Sequence, residues 1–312
     1  MATPEPFADW IGVTVPKGEW LDLRDELVPE LECLGMSREL EFDSRSKPGK
    51  VDLWRAAGGD GRGTVRAELK GQVWAIGISG TVCAGLRVAK RMHSVLAAVG
   101  ARPHRVTRLD ATLDLPIDAA PVVAAIAAAG RRGELALTRK RIDPRTIETH
   151  MSLRSDGVES GTVYCGGKTA AARMVVYDKR HERASRKLPD TGDRTRYECR
   201  LRGDLGISLR DCSDPGPVFW HHVAPDFLPR PDGVAAWVPG GEGFVLDKLD
   251  PPTPFQRMLS LVDQSPDVRR LLVLADQVGP YGLRVLLSRL EALAGGAGGH
   301  PPAVAPSPPE TA

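Results

Sequence analysis

The chain has 312 residues, of which 42% are hydrophobic and 26% charged, so it can bury a substantial core. No stretch approaches 18 consecutive apolar residues, and the first residues lack the basic start and apolar core of a signal peptide. These features argue against a membrane protein and predict a cytoplasmic one. Five widely spaced cysteines, an odd number, predict reduced thiols rather than a disulfide framework.

The net charge of +2 says little about partners, but the charge is unevenly distributed. Residues 131–210 contain 19 Lys or Arg against 11 Asp or Glu, whereas residues 1–60 contain 7 against 13. A basic concentration of this size would supply the salt-dependent affinity that DNA binding needs. The alternative is a solvated basic surface without a ligand.

Residues 1–103 are predicted to form an N-terminal α+β half. Strands are predicted from β-branched and aromatic residues between Gly-rich turns, at 7–15, 40–42, 51–56, 63–69 and 73–78. Amphipathic helices are predicted at 19–34 and 81–99, and Gly100 ends the second of them.

Residues 104–225 are predicted to form a second α+β half. It has a strand at 104–115, an Ala-rich helix at 119–129, and strands at 137–142, 147–154, 161–165, 172–180 and 194–202. A Pro/Gly-rich segment and C-terminal helices are predicted for 226–294, and a disordered tail for 295–312. The element order predicts an α+β fold with a mainly antiparallel central sheet, built from two β-α-β-β type units, and a small helical C-terminal region.

The strand predicted at 172–180 carries a tyrosine among cations. Side chains alternate along a strand, so Arg173, Tyr177 and Lys179 point the same way. Nearby positive charge would assist a tyrosine, whose ordinary pKa is about 10, as a covalent nucleophile. The alternative is an ordinary half-buried strand tyrosine with both cations reaching solvent.

Acidic residues share one face of the strand predicted at 104–115. Asp110 and Asp114 lie on this face with Thr112 between them, and carboxylates suit Mg²⁺ or Mn²⁺. A solvated acidic edge strand is the alternative. Glu198 would be a further ligand or a general base, or would form a structural ion pair with the arginines on its own strand.

Four short patterns occur in a defined order between residues 105 and 202. They are R-x-D-x-x-x-D (108–114), G-T-x-Y-x-G (161–166), R-x-x-x-Y-D-K (173–179) and R-x-E-x-x-x-R (196–202). This ordered set resembles the replication initiation factor family, the trans-acting rolling-circle replication initiators of plasmids and phages. The resemblance covers roughly residues 7–225.

In that family a tyrosine nicks one DNA strand, stays attached to the 5′ phosphate and frees a 3′ hydroxyl, assisted by a divalent metal. The resemblance implies a nicking-endonuclease or RRM-like fold, with Tyr177 as nucleophile and Mg²⁺ or Mn²⁺ as cofactor. It implies flanking basic residues at Arg173 and Lys179, and metal ligands at Asp110, Asp114 and Glu198. Five basic residues are expected to contact DNA: Arg108, Lys168, Arg180, Arg196 and Arg200.

The implied partners are replication-origin or transfer-origin DNA, a host helicase and a second copy of the chain. A relaxase of a conjugative element is a chemically equivalent alternative. A DNA-binding protein with a degenerate, non-catalytic site is another. Tyr164 and Tyr197 are expected to be packing residues.

Overall fold

The computed structural model describes residues 4–39, 51–56, 63–138, 140–154 and 156–240. The C-terminal helices and the tail predicted beyond residue 240 lie outside these ranges, and so does the strand predicted at 40–42. None of the helices in these ranges has both the length and the hydrophobicity of a membrane-spanning segment.

Ten of the strands in the described residues form one antiparallel sheet. The strands are β1 (Phe7–Pro16), β2 (Met36–Glu39), β3 (Val51–Ala56), β4 (Thr64–Lys70), β5 (Val73–Ile78), β6 (Arg105–Leu115), β7 (Ala136–Leu137), β8 (Lys140–Arg141), β9 (Ile147–Leu153), β10 (Glu159–Cys165), β11 (Ala172–Asp178) and β12 (Thr195–Arg202). The helices are α1 (Trp20–Glu32), α2 (Gly80–Val88), α3 (Met92–Gly100), α4 (Ala119–Arg131), α5 (Lys179–Ser185), α6 (Leu209–Ser213) and α7 (Gly216–His222). The predicted α+β class with a mainly antiparallel sheet is confirmed.

The strand order across the sheet is β2-β3-β4-β5-β1-β6-β12-β11-β10-β9. The N-terminal half of the sheet consists of β1 to β5, and the second half consists of β6 and β9 to β12. The two halves meet where β1 pairs with β6. In both halves the central strand is followed by a helix, α1 or α4, and then by strands that run from the outer edge of the sheet back to its centre. The repeated unit is thus a β-α unit followed by four strands of the sheet, two more than in the predicted β-α-β-β unit.

One face of the sheet is the hydrophobic core. Alternate residues of the two central strands point into it, among them Ile11, Val13, Leu109 and Leu113, each at most 2% exposed. Apolar residues of α1 to α4, α6 and α7 complete the same buried cluster. The opposite face of the sheet carries polar and charged side chains, and the candidate site lies there.

The helix predicted at 81–99 is two helices, α2 and α3. Lys90 adopts a left-handed conformation (φ 58°), and the Arg91 amide donates to the Leu86 carbonyl, as in a Schellman helix end. Val88, the last residue of α2, does not reach the core and is 83% exposed. The strand predicted at 137–142 is likewise divided, into the short β7–β8 hairpin.

Candidate active site

The polar face of the sheet contains a cleft of about 400 Å³ above the strands next to the β1–β6 junction. Its floor is formed by residues of five strands, β1, β6, β10, β11 and β12. Its rim is formed by α5 and the first turn of α2. Chemically active side chains in this lining include Asp9, Asp110, Tyr164, Tyr177, Glu198 and Arg200. The two halves of the fold therefore both contribute to the cleft.

Tyr177 lies near the end of β11, directly opposite Arg196 on β12. Nη1 of Arg196 lies 3.5 Å from the Tyr177 hydroxyl oxygen, and Nζ of Lys179 lies 5.6 Å from the centre of the tyrosine ring. Burial raises the pKa of Tyr177 well above 10, against the opposing effect of the Arg196 charge. The phenol is therefore protonated at neutral pH, and its proton must leave during any attack on phosphorus.

The predicted strand ends at Asp178, two residues earlier than expected. The Asp178 carboxylate accepts a hydrogen bond from the His181 amide at 2.8 Å and caps α5, so Lys179 is the first residue of a helix. Nη1 of Arg154 also donates to the buried Asp178 at 3.2 Å. An aspartate just before the helix-forming segment 179–185 is the sequence signal that could have revealed this turn.

Arg173 is not a neighbour of the Tyr177 hydroxyl, contrary to the prediction. The two lie four positions apart on β11, so about 13 Å separates their backbones at roughly 3.3 Å per residue. The Arg173 guanidinium instead stacks on Tyr164, 4.5 Å from the ring centre, and pairs with Glu148 at 3.2 Å. The cations beside Tyr177 are therefore Lys179 and Arg196.

Asp110 and Glu198 form a buried acidic pair on the neighbouring strands β6 and β12, 3% and 4% exposed. Arg108 donates to both Asp110 oxygens, at 2.8 and 2.6 Å, and Nε of Arg200 donates to Glu198 at 2.6 Å. Burial and the Asp110 charge raise the pKa of Glu198 to about 7, and burial also raises the pKa of Asp110. Because burial disfavours the charged form of both carboxylates, positive charge placed beside them would stabilise their ionised forms.

Asp114 does not join this pair. It lies four residues from Asp110 along β6, so about 13 Å separates their backbones. Both of its oxygens accept hydrogen bonds from Arg196, at 2.6 and 2.8 Å. The three carboxylates predicted as metal ligands are thus divided between the acidic pair and this ion pair, and the described residues contain no group of three or more His, Cys, Asp or Glu arranged for a metal.

Asp110 and Glu198 nevertheless fit a hard divalent cation in their chemistry. Their oxygens are the ligands that Mg²⁺ and Mn²⁺ prefer, and such ions need only one or two carboxylates from the protein. Thr112 lies two residues beyond Asp110 on β6 and directly opposite Glu198 on β12, and its fully buried hydroxyl oxygen has no hydrogen-bond partner in the structure. This oxygen is a third donor of the right kind on the same strand face.

The residues predicted to contact DNA occupy different environments. Arg108 and Arg200 line the cleft. Arg196 is 6% exposed and is enclosed by Asp114 and Asp9, so the prediction of a DNA contact is wrong for this residue. Lys168 is exposed near Glu148, and Arg180 pairs with Asp190 and Asp193; neither lines the cleft.

Asp9 and Trp10 are cleft residues that the sequence did not indicate, and Tyr164, which was predicted to be a packing residue, also lines the cleft. The β1–β6 register shifts between Ala8 and Trp10, so Asp9 is the extra residue of a β-bulge. The bulge brings both Asp9 and Trp10 to the cleft, where Asp9 accepts a hydrogen bond from Arg196 at 3.0 Å. Strict strand alternation assigns neighbouring residues to opposite faces, so it could not predict this pair. Tyr197, by contrast, is buried in the core as predicted, and burial raises its pKa to about 12.

No family model matches the chain, and no curated protein matches it. Among solved structures, the chain is similar to a rolling-circle replication initiator protein from Geobacillus stearothermophilus. The two share 14% identity with a TM-score of 0.46, over 70% of this chain and 83% of that one. At this level the likeness assigns no role to any residue of the cleft.

Proposed function

We propose that this protein is a DNA strand-nicking and strand-joining enzyme with Tyr177 as its nucleophile, acting as an initiator of rolling-circle replication. One observation carries the proposal. Tyr177, whose hydroxyl lies 3.5 Å from Arg196, lines the same cleft as the buried pair Asp110 and Glu198. The ordered motifs over residues 105–202 add support, because each contributes a residue to this cleft. A conjugative relaxase would use the same chemistry.

In the proposed reaction the Tyr177 oxygen forms a bond to the phosphorus of a DNA phosphodiester. The bond from phosphorus to the 3′ oxygen breaks, and the phenolic proton ends on that oxygen as a free 3′ hydroxyl. The products are a 5′-phosphotyrosine and a primer terminus. Attack by a 3′ hydroxyl on the phosphotyrosine reverses these bond changes and rejoins the strand.

Arg196 has a positioning and an electrostatic role in this account. Asp9 and Asp114 hold its guanidinium in place, so it stabilises negative charge on the Tyr177 oxygen without having to move. Lys179, beside the tyrosine ring and on the rim of the cleft, is the cation proposed to meet the phosphate. Its present partner is Glu182, at 2.6 Å.

Asp110 and Glu198, with the Thr112 hydroxyl, are proposed to hold a Mg²⁺ or Mn²⁺ ion. Such an ion, when bound, supplies positive charge that neutralises the phosphate oxygens. Arg108 and Arg200 bond these two carboxylates, and both arginines line the cleft. Their guanidinium groups are suited to bind phosphate groups of the DNA.

The test is incubation of the protein and Mn²⁺ with supercoiled plasmid that carries its gene and flanking sequence, followed by a denaturing gel. We expect a protein–DNA adduct that Tyr177→Phe abolishes and that EDTA prevents. Tyr164→Phe is the matched control, because Tyr164 lines the same cleft but stacks with Arg173, and it should leave the adduct. Tight DNA binding without an adduct would favour a non-catalytic DNA-binding protein.

A further inference from the structure

Three charged residues of α5 form a cluster on the rim of the candidate active site. Lys179, Glu182 and Arg186 follow one another at spacings of three and four residues, so they share one side of the helix. All three line the cleft that contains Tyr177. This rim cluster has two cations and one acid, so its net charge is positive even with every member paired.

The Glu182 carboxylate bridges the two cations. Its Oε2 lies 2.6 Å from Nζ of Lys179, and its Oε1 lies 2.6 Å from Nη2 of Arg186. Oε2 is buried and has no hydrogen bond besides this ion pair. Among the residues that the structure describes, no other side chain pairs with this carboxylate. Lys179 and Arg186 therefore hold Glu182 in the cleft.

A carboxylate held between two cations has the binding chemistry of a phosphodiester group. Each of these anions presents two oxygens that share a negative charge, and both are bound by guanidinium and ammonium groups. The Glu182 side chain is 21% exposed and lies on the rim, so rotation about its own torsions would bring the carboxylate into solvent. Lys179 and Arg186 would then face the anion that replaced it.

The rim cluster lies beside the proposed nucleophile. Nζ of Lys179 is 5.6 Å from the centre of the Tyr177 ring. Burial is the main cause of the raised pKa of Tyr177, and the negative charge of Glu182 adds to this increase. An anion bound by the same two cations would therefore lie next to Tyr177.

We propose that Lys179 and Arg186 form a binding site for one phosphate group of single-stranded DNA, and that Glu182 occupies this site until the DNA displaces it. Arg186 is then a DNA-contacting residue, and Glu182 is a competitor of DNA that takes no part in the chemistry. That the bound phosphate is the one attacked by Tyr177 rests on the proposed function. The binding itself rests on the two ion pairs, the net charge of the rim cluster and its place in the cleft.

The first test measures DNA binding by the full chain carrying Tyr177→Phe, so that no covalent step contributes. Fluorescence anisotropy of a labelled oligothymidylate gives the affinity between about 50 and 200 mM NaCl. Arg186→Gln should weaken binding about fivefold and should reduce the slope of log affinity against log salt by about 0.7, the value for one phosphate of a single strand. Arg183→Gln is the matched control, because Arg183 lies on the same helix, donates to the Pro189 carbonyl at 3.0 Å and does not line the cleft. It should leave the slope unchanged.

The second test removes the competing acid. Glu182→Gln should tighten binding about fivefold, and glutamine retains the helix propensity of glutamate. Asp190→Asn is the matched control with the same change in net charge, because Asp190 pairs with Arg180 of the same helix at 2.9 Å and lies outside the cleft. It should change the affinity by about twofold at most. In the Arg186→Gln background the gain from Glu182→Gln should be smaller, because one of the two cations that Glu182 occupies is absent.

Weaker or unchanged binding in Glu182→Gln, or equal tightening in Asp190→Asn, would overturn the proposal. Slower adduct formation by Glu182→Gln in the chain that retains Tyr177, with unchanged binding, would assign Glu182 to the chemical step and would also overturn it. The expected binding changes support the phosphate site even if the parent chain forms no adduct with DNA. An adduct in the parent together with unchanged binding in the variants would leave nicking intact and refute the site.

Discussion

Tyr177 and Arg196 are paired on adjacent strands, with 3.5 Å between the phenolic oxygen and the nearest guanidinium nitrogen. Asp114 and Asp9 hold that guanidinium from two other strands. The position of the cation beside the tyrosine is therefore fixed by long-range pairing. This relationship makes Tyr177, rather than Tyr164, the proposed nucleophile of the cleft.

Arg196→Gln should destabilise the fold. The substitution leaves Asp114 and Asp9 without their shared, buried cation, which should lower the free energy of unfolding by about 3 kcal/mol. Adding Asp114→Asn should restore part of the loss, because one uncompensated carboxylate is then removed. Urea unfolding of the single and double variants measures both effects. A double variant no more stable than Arg196→Gln would contradict the pairing.

Mn²⁺ binding should depend on Asp110 and Glu198 and not on Asp114. Asp110→Asn and Glu198→Gln each remove a proposed ligand and should weaken Mn²⁺ binding by at least about tenfold. Asp114→Asn is the matched control, since Asp114 bonds Arg196, and it should bind the ion like the parent while losing stability. Titration of Mn²⁺ followed by electron paramagnetic resonance gives the affinities without any activity assay. Equal loss in all three variants would refute the assignment of the site to the acidic pair.

Glu198 should make stability depend on pH. Its pKa of about 7 in the fold lies above the value of about 4.3 expected in the unfolded chain, so the folded state binds more protons between these values. The contribution of Glu198 to the free energy of unfolding is therefore complete below about pH 4, and it is lost as the pH rises through 7. Relative to Glu198→Gln, the parent should lose about 3 kcal/mol between pH 4 and 8.

Thermal unfolding of parent and Glu198→Gln at several pH values, without divalent ions, measures this loss. The difference in melting temperature should grow in favour of the variant as the pH rises. A difference that stays constant with pH would mean that Glu198 ionises normally in the fold.

Asp178 should matter for catalysis as well as for stability. Asp178→Ala removes the cap of α5 and a partner of Arg154, which should cost about 2 kcal/mol and displace Lys179 from the cleft. Asp118→Ala is a matched control, because Asp118 caps α4 and also binds Arg154, at 2.9 Å, but does not line the cleft. Both variants should be destabilised, and only Asp178→Ala should slow adduct formation at temperatures where both remain folded. Equal rates in the two variants would contradict a positioning role.

The faces of the strands could be predicted from sequence because side chains alternate with a period of two. That rule alone placed Asp110 with Thr112 and Glu198 with Arg200, and once β6 and β12 are neighbours these residues meet. The burial of Arg196 could not be predicted from this alternation. Its burial depends on which residues of β1, β6 and β11 lie beside it, and this register is a property of the whole sheet.

Local irregularities account for the other differences. A β-bulge at Asp9 places two consecutive residues in the cleft, and a helix cap at Asp178 turns Lys179 out of the strand. Lys90 ends a helix in the conformation that glycine usually supplies, so no glycine marked the break. In each case one residue departs from the periodicity on which the prediction depended.

Mass spectrometry of tryptic peptides from the protein–DNA adduct, after nuclease digestion, identifies the tyrosine that is joined to DNA. Tyr177 lies in the peptide of residues 174–179, Tyr164 in 155–168 and Tyr197 in 197–200. We expect a 5′-nucleotide on peptide 174–179. A nucleotide on any other tyrosine peptide, with 174–179 unmodified, would contradict it.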